Sequence, residues 1–262
     1  MVMGPTHAMS GAAVWLGTAG LFAASAGHAL TPTQTFVGAG VCAGSALLPD
    51  IDAPTSTVAR SMGPITIGLA HLVSGLSLGF YHLTATNRDK PSNDGHRKLT
   101  HTLLAAITSG AGVTALTTAF GRWAVLGVLF FMLSLALRGL MHDWAAREGW
   151  IGVTAVAAAL TWMATDHVAG QTFWWLGLTV TVGMILHDLG DMITREGAPL
   201  AAPLRVNGKS WWDFALPGFL RIRAGGIFEY AILLPVLTAA TIVGGMWVID
   251  PGFINGAVAA LP

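Results

Sequence analysis

Nine histidines stand in a chain of 262 residues that carries only thirteen Asp and Glu, and several of them sit beside carboxylates. The sequence LLPDID places Asp50 and Asp52 directly after an apolar run, with Pro49 biasing the preceding backbone toward an extended or turning path. GHRKLTHT brings His96 and His101 to the entrance of the next apolar stretch. HDLGD puts His187 and Asp191 four residues apart, on one face of a helix. His7 precedes the first apolar run. Imidazole and carboxylate together suit zinc or another divalent ion. Seven candidate ligands, His7, Asp50, Asp52, His96, His101, His187 and Asp191, are more than one zinc ion needs. They would serve either one ion with extra supporting groups or two ions about 3.5–4 Å apart. A bound divalent metal acidifies water and stabilises charge on displaced oxygens. In that chemistry Asp52 or Asp191 would assist proton transfer, and Arg97 would attract an anionic group.

Plainer roles exist for each of these. Asp50 and Asp52 could be a solvated turn, His7 an interfacial histidine, and Arg97 and Lys98 membrane anchors. Thr100 and Thr102 suit helix capping, Asp188 a hydrogen bond to a ligand histidine or the helix end, and Thr194 support for the site. His71 and His82 read as packing or interfacial groups, and His142 with Asp143 as loop or supporting residues. His28 and His167 fall on the opposite side. Trp123, Trp162, Trp174, Trp175 and Trp247 read as interface or packing groups rather than a substrate cage.

The elements that must position these groups are membrane helices. The chain is 53% hydrophobic and only 10% charged, where a soluble domain is about a quarter charged. That excludes a disordered chain, a coiled coil and a nucleic-acid binder, and no phosphate-cradling glycine motif is present. The single Cys42 excludes a disulfide framework. Apolar stretches near 9–27, 33–49, 65–83, 102–120, 122–141, 151–166, 172–190 and 227–249 are long enough, or nearly so, to cross about 30 Å of hydrocarbon. The expected fold is all-α, a polytopic transmembrane helical bundle. Positive charge concentrates in the connections near 88–98, 138–147 and 195–223, which places those loops in the cytoplasm. If 65–83 is re-entrant or interfacial, the count is about seven crossings, and the His/Asp clusters share the cytoplasmic face. The 190–226 segment then reads as an interfacial loop within a single domain, 1–262.

The motifs together resemble the YdjM-like family of inner-membrane, metal-dependent hydrolases. His7, LLPDID with the nearby Ser56, HRKLTHT and HDLGDMITREGAPLAAP carry the resemblance, over roughly residues 1–205. It implies a membrane-bound hydrolase that depends on a divalent metal, its active groups mapping to the same seven residues. Lys98 stands where the family pattern leads one to expect a small residue.

The function expected is hydrolysis of an ester or phosphoester by metal-activated water. Membrane lipids surround the protein, and a phospholipid, lipid phosphate or other amphiphile is a plausible substrate. Nothing in the sequence specifies a protein partner. The alternatives are a divalent-metal transporter or channel, since intramembrane His and Asp often mark ion paths, and a noncatalytic scaffold whose metal fastens helices.

Overall fold

A computed structural model describes residues 3–25, 30–168 and 173–252. His28 lies outside them, as does the side chain of His167. The described residues form eight α-helices, α1 (Gly4–Ser25), α2 (Pro32–Ser45), α3 (Pro64–Thr84), α4 (Leu103–Phe120), α5 (Arg122–Leu140), α6 (His142–Val168), α7 (Trp174–Met192) and α8 (Leu234–Ile249). Short 3₁₀ turns at Pro49–Asp52, Val58–Arg60 and Leu99–His101 join them at one end. Pairing between extended segments is confined, among the described residues, to isolated bridges such as Ala198 with Phe214. The protein is an all-α, multi-spanning bundle. Pro64–Thr84, Leu103–Phe120, Arg122–Leu140 and Glu229–Ile249 are each long and apolar enough to cross a membrane.

Most helices lie where the apolar stretches place them, and two differ in informative ways. The stretch expected over 33–49 ends as a helix at Ser45, because Ala46–Leu48 turns into the 3₁₀ segment that carries the aspartates. Fourteen residues reach only about 21 Å, less than the hydrocarbon thickness. α6 starts before the expected span and is broken at Gly149, whose backbone (φ 68°, ψ −169°) only glycine adopts readily.

The short α2 is the centre of the bundle, packed against α1, α5 and α7. Small residues permit this approach. A Cβ on Gly44 would lie 2.0 Å from the Met132 carbonyl oxygen of α5, and one on Gly11 of α1 would lie 2.5 Å from the Cys42 carbonyl oxygen. With no hydrophobic drive between helices in lipid, such close van der Waals packing is what holds them. The α2 start is also closed tightly. Thr31 accepts from the Gln34 backbone N–H, and the Gln34 side chain accepts from the Thr31 N–H.

α3 behaves differently. Its extensive packing is with the three 3₁₀ turns, and its outward face exposes Ile65, Leu72, Leu76 and Leu83. His71 and His82 lie on that exposed side, away from the other histidines. At the same end of the bundle, Glu229 is fully buried before α8 and accepts from the Met3 and Gly225 N–H groups. It thereby fixes the start of α1, one turn before His7, with negative charge at a helix N-terminus. Of the tryptophans expected at interfaces or in packing, Trp175 is buried, while Trp123 and Trp162 are exposed on outer faces.

Gly44→Ala should therefore lower thermal stability in detergent by about 1–3 kcal/mol or more, since backbone rather than a movable side chain must yield. Gly112→Ala in α4, with open space at its Cβ, should be neutral or stabilising. Unfolding midpoints of the two purified variants check the contrast.

Candidate metal centre

Helix direction converts scattered motifs into one cluster. His7 lies near the start of α1, Asp50 and Asp52 just beyond the end of α2, His101 just before α4, and His187 and Asp191 near the end of α7. All four termini meet at one end of the bundle. His7, Asp52, His101, His187, Asp188 and Asp191 are at most 1% exposed, and Asp50 is 7% exposed.

The hydrogen bonds determine which imidazole nitrogens remain available. The His187 Nδ1–H donates to the Ala46 carbonyl oxygen (2.8 Å), an atom that can only accept. Its Nε2 therefore presents a lone pair when the ring is neutral. The Thr100 hydroxyl donates to Asp52 Oδ2, so its oxygen accepts from His101 Nδ1 (3.1 Å). Asp52 Oδ2 lies 3.5 Å from that same nitrogen. His101 Nε2 then faces His187 Nε2 at 3.2 Å. Two neutral rings would set lone pair against lone pair, so this contact needs a shared proton or a cation.

Carboxylates complete the surroundings. Asp50 Oδ1 is 3.6 Å from His187 Nε2 and 3.8 Å from His101 Nε2. Asp191 Oδ2 is 3.8 Å from each of the same two nitrogens. Two donors, each about 2.05 Å from a tetrahedral ion, would be about 3.3–3.4 Å apart. The Asp50–His101–His187 separations of 3.2, 3.6 and 3.8 Å come close to that without any ion present. A second group, His7–His187–Asp191, also has its donor atoms within 4.8 Å of one another. The His7 ring stacks on His187 (centroids 4.0 Å apart), with its Nε2 3.5 Å from Asp191 Oδ1. Both His7 nitrogens, Asp50 Oδ1 and Asp191 Oδ1 are buried without a hydrogen-bond partner. Such orphans are costly in a low-dielectric interior and, in a site of this composition, call for a bound cation.

The geometry divides the seven residues picked out from the sequence. His7, Asp50, His101, His187 and Asp191 converge. Asp52 stands behind His101, its oxygens taken by His96 Nδ1 (2.6 Å), the Arg97 backbone N–H (3.0 Å) and the Thr100 hydroxyl. His96 stands outside the cluster, bonded to Asp52 and packed edge-on against the His101 ring (centroids 5.5 Å apart). Arg97 has a positive φ of 58°, uncommon for a non-glycine residue. Its guanidinium donates to Asp191 Oδ2 (2.6 Å), to Glu196 and to the Gly197 carbonyl oxygen (2.7 Å).

The segment after α7 closes over this end, as its Gly and Pro content suggests. Gly197 (φ 79°) comes so near the Phe214 carbonyl that a Cβ would not fit, and Ala198 pairs with Phe214. Thr194 donates to the Asp191 carbonyl oxygen and Thr102 caps α4 by accepting from Ala105 N–H. Ser56 donates to the Asp50 carbonyl oxygen and shapes the turn. Sequence reasoning missed Glu196 and the carbonyls of Ala46 and Gly197; backbone acceptors have no residue-type signal. Asp188, expected to bond a ligand histidine or the helix end, makes neither bond: both its oxygens are buried without a hydrogen-bond partner. His142 and Asp143 line a separate cavity of about 670 Å³ beside Arg138 and Arg147.

Residues 1–151 match the model of the YdjM inner membrane protein family. The chain belongs to that family. It is accordingly a multi-pass inner-membrane protein. The matched stretch contains His7, Asp50, Asp52, His96 and His101, while His187 and Asp191 come from α7, beyond it. No curated protein and no solved structure matches the chain.

In the metal-free protein the two turns form a charged pair. Burial opposes charge on Asp52, but hydrogen bonds from His101 and His96 outweigh it and hold the carboxyl below its ordinary value of 3.8. Burial likewise opposes charge on His101, but Asp50 and Asp52 on its two sides outweigh it and push it up from 6.5 to about 10. The Asp52 contribution to stability is thus fully present above pH 3.8 and lost as pH falls through its depressed value. The His101 contribution is fully present below pH 6.5 and lost as pH rises toward 10. Metal-free protein should be most stable between those limits. Divalent-metal uptake at pH 7 should release a proton and tighten by up to about tenfold per pH unit up to that value. Metal titrations in buffers of different ionisation enthalpy would show the proton; a pH-independent affinity would contradict it.

Proposed function

We propose that the cluster holds a zinc ion and that the protein is a metal-dependent hydrolase of an ester or phosphoester at the cytoplasmic face. The observation that carries this reading is the pair of imidazole nitrogens, His101 and His187 Nε2, facing each other 3.2 Å apart beside the unpartnered Asp50 Oδ1. Neutral imidazoles with their Nδ1–H groups committed elsewhere are the usual form of a histidine ligand. Because His187 has one available nitrogen, it can serve one ion, and that favours a single ion bound by Asp50, His101 and His187. Asp191 closes the set, and His7 lies beside it.

A zinc ion there would supply Lewis acidity and an acidified water. The chain supplies the rest. Asp52 orients His101 and raises its basicity, as carboxylates behind metal-bound histidines do. Arg97 holds Asp191, leaving Asp191 Oδ1 and His7 as the groups that would move a proton. Arg97 is already shared between Asp191 and Glu196, so it serves to hold the centre together rather than to attract an anionic group.

Orientation follows from charge. Every Lys and Arg except Arg122 belongs to the connections or helix ends on the cluster's side of the bundle. The positive-inside rule puts that side in the cytoplasm. With α3 lying over the turns and not crossing, the chain makes seven crossings, the short α2 among them. Lipid phosphates or other amphipathic esters then reach the site from the inner leaflet.

Asp50→Asn and His187→Gln should each lose stoichiometric zinc and at least about 100-fold of any hydrolytic rate. Asp52→Asn should keep the ion but weaken it about 10–100-fold. Elemental analysis of purified protein, with hydrolysis assays on phosphate and carboxylate esters, tests both. Stoichiometric zinc with no hydrolysis of any ester, alongside zinc flux in proteoliposomes, would replace the hydrolase by a transporter.

A further inference from the structure

A second cavity, of about 180 Å³, borders the metal centre through Arg97. The chain contains three lysines, Lys90, Lys98 and Lys209, and all three line this cavity. They come from two loops more than a hundred residues apart, so their meeting is a product of the fold. Asp213 is the one carboxylate in the lining, and Tyr81 and Trp211 form flat walls.

Two of the three cations are held over ring faces, contacts that leave their charge unneutralised. Lys98 Nζ sits 5.1 Å above the centre of the Tyr81 ring, and Lys209 Nζ sits 4.6 Å above Trp212. A carboxylate clasp fixes the two loops to each other. Asp89 accepts from the backbone N–H groups of Thr86 (2.7 Å), Ser210 (3.2 Å) and Trp211 (2.8 Å) and from the Thr86 hydroxyl (2.8 Å). Arg88 donates to the Asn207 carbonyl oxygen, and the Tyr81 hydroxyl donates to that of Lys90. The positive charge is therefore assembled before any ligand arrives, the condition under which charge-assisted recognition is strongest.

We infer that this cavity is a phosphoryl-binding subsite, formed by Lys90, Lys98 and Lys209 next to Arg97. Its volume is below the roughly 300–1,000 Å³ of sites that enclose a drug-sized molecule, so it takes a phosphate-bearing headgroup and leaves any lipid tail outside. Resting on the hydrolase reading, the subsite narrows the substrate to an anionic phosphorylated compound whose charged group docks here while the bond to be cleaved reaches the metal centre past Arg97.

The lysines are themselves the probe, because no other side-chain amines exist in the chain. Full-length protein in nanodiscs would be treated with an amine-acetylating reagent and the rate at each lysine read by mass spectrometry. The arms are inorganic phosphate over phosphatidylcholine discs, discs containing phosphatidic acid, and phosphatidylcholine discs with chloride at matched ionic strength. At ligand ten times its Kd, acetylation of the three lysines should slow about tenfold. Slowing by inorganic phosphate identifies the free phosphoryl group as sufficient. Slowing by phosphatidic acid alone identifies a lipid headgroup. Slowing no greater than in chloride, in both ligand arms, overturns the subsite. The same protection is expected in Asp50→Asn, whose hydrolysis is lost, so failure of the metal mechanism and failure of the subsite give different results.

Discussion

The contact on which the site depends is the one between the His101 and His187 Nε2 atoms, 3.2 Å apart and shielded from water. Each ring has its other nitrogen committed, one to the Ala46 carbonyl and one toward Thr100 and Asp52. The remaining lone pairs cannot face each other unless a proton or cation lies between them. In an interior built from Leu, Val, Ala and Gly, unsatisfied donors and charges cost several kcal/mol each. A protein that gathers three histidines and several aspartates there has arranged for a positive charge to join them.

That requirement explains the architecture at this end. α2 stops after fourteen residues, and the turn that follows places the Ala46 carbonyl on His187 and Asp50 beside the two imidazoles. A longer helix would carry both past the centre. α1, α5 and α7 close around the short helix because glycines at the contacts let backbone meet backbone. Asp52 then joins the turn after α2 to the turn before α4 through His96, the Arg97 backbone and Thr100. It acts on the centre without belonging to it.

Electrostatics outside the centre follow from the same economy of charge. With few charged residues in the chain, the placement of each one matters. Arg97 bridges Asp191 and Glu196, Glu229 anchors α1, and Asp89 clasps the two loops that carry the lysines. The three lysines line a cavity, the proposed phosphoryl subsite, where a phosphorylated group would supply the missing negative charge.

Much of this was legible in the sequence. Long apolar runs separated by basic connections specify membrane helices, because hydrocarbon demands that backbone groups be satisfied within each span. The seven residues carried by the LLPDID, HRKLTHT and HDLGD motifs and by His7 were identifiable from residue type, since imidazole beside carboxylate at the end of an apolar run has few other uses. Their division into five converging groups and two supporting ones was not legible. Asp50 and Asp52 are chemically identical and two residues apart, and a 3₁₀ turn points one at His187 and the other at Thr100. Nor could spacing reveal the early end of α2, the carbonyl partners, or the meeting of three lysines from distant loops. Local composition determines which segments enter the membrane. Which groups touch depends on helix ends, turn geometry and close packing between residues far apart in the chain, and those only the tertiary structure decides.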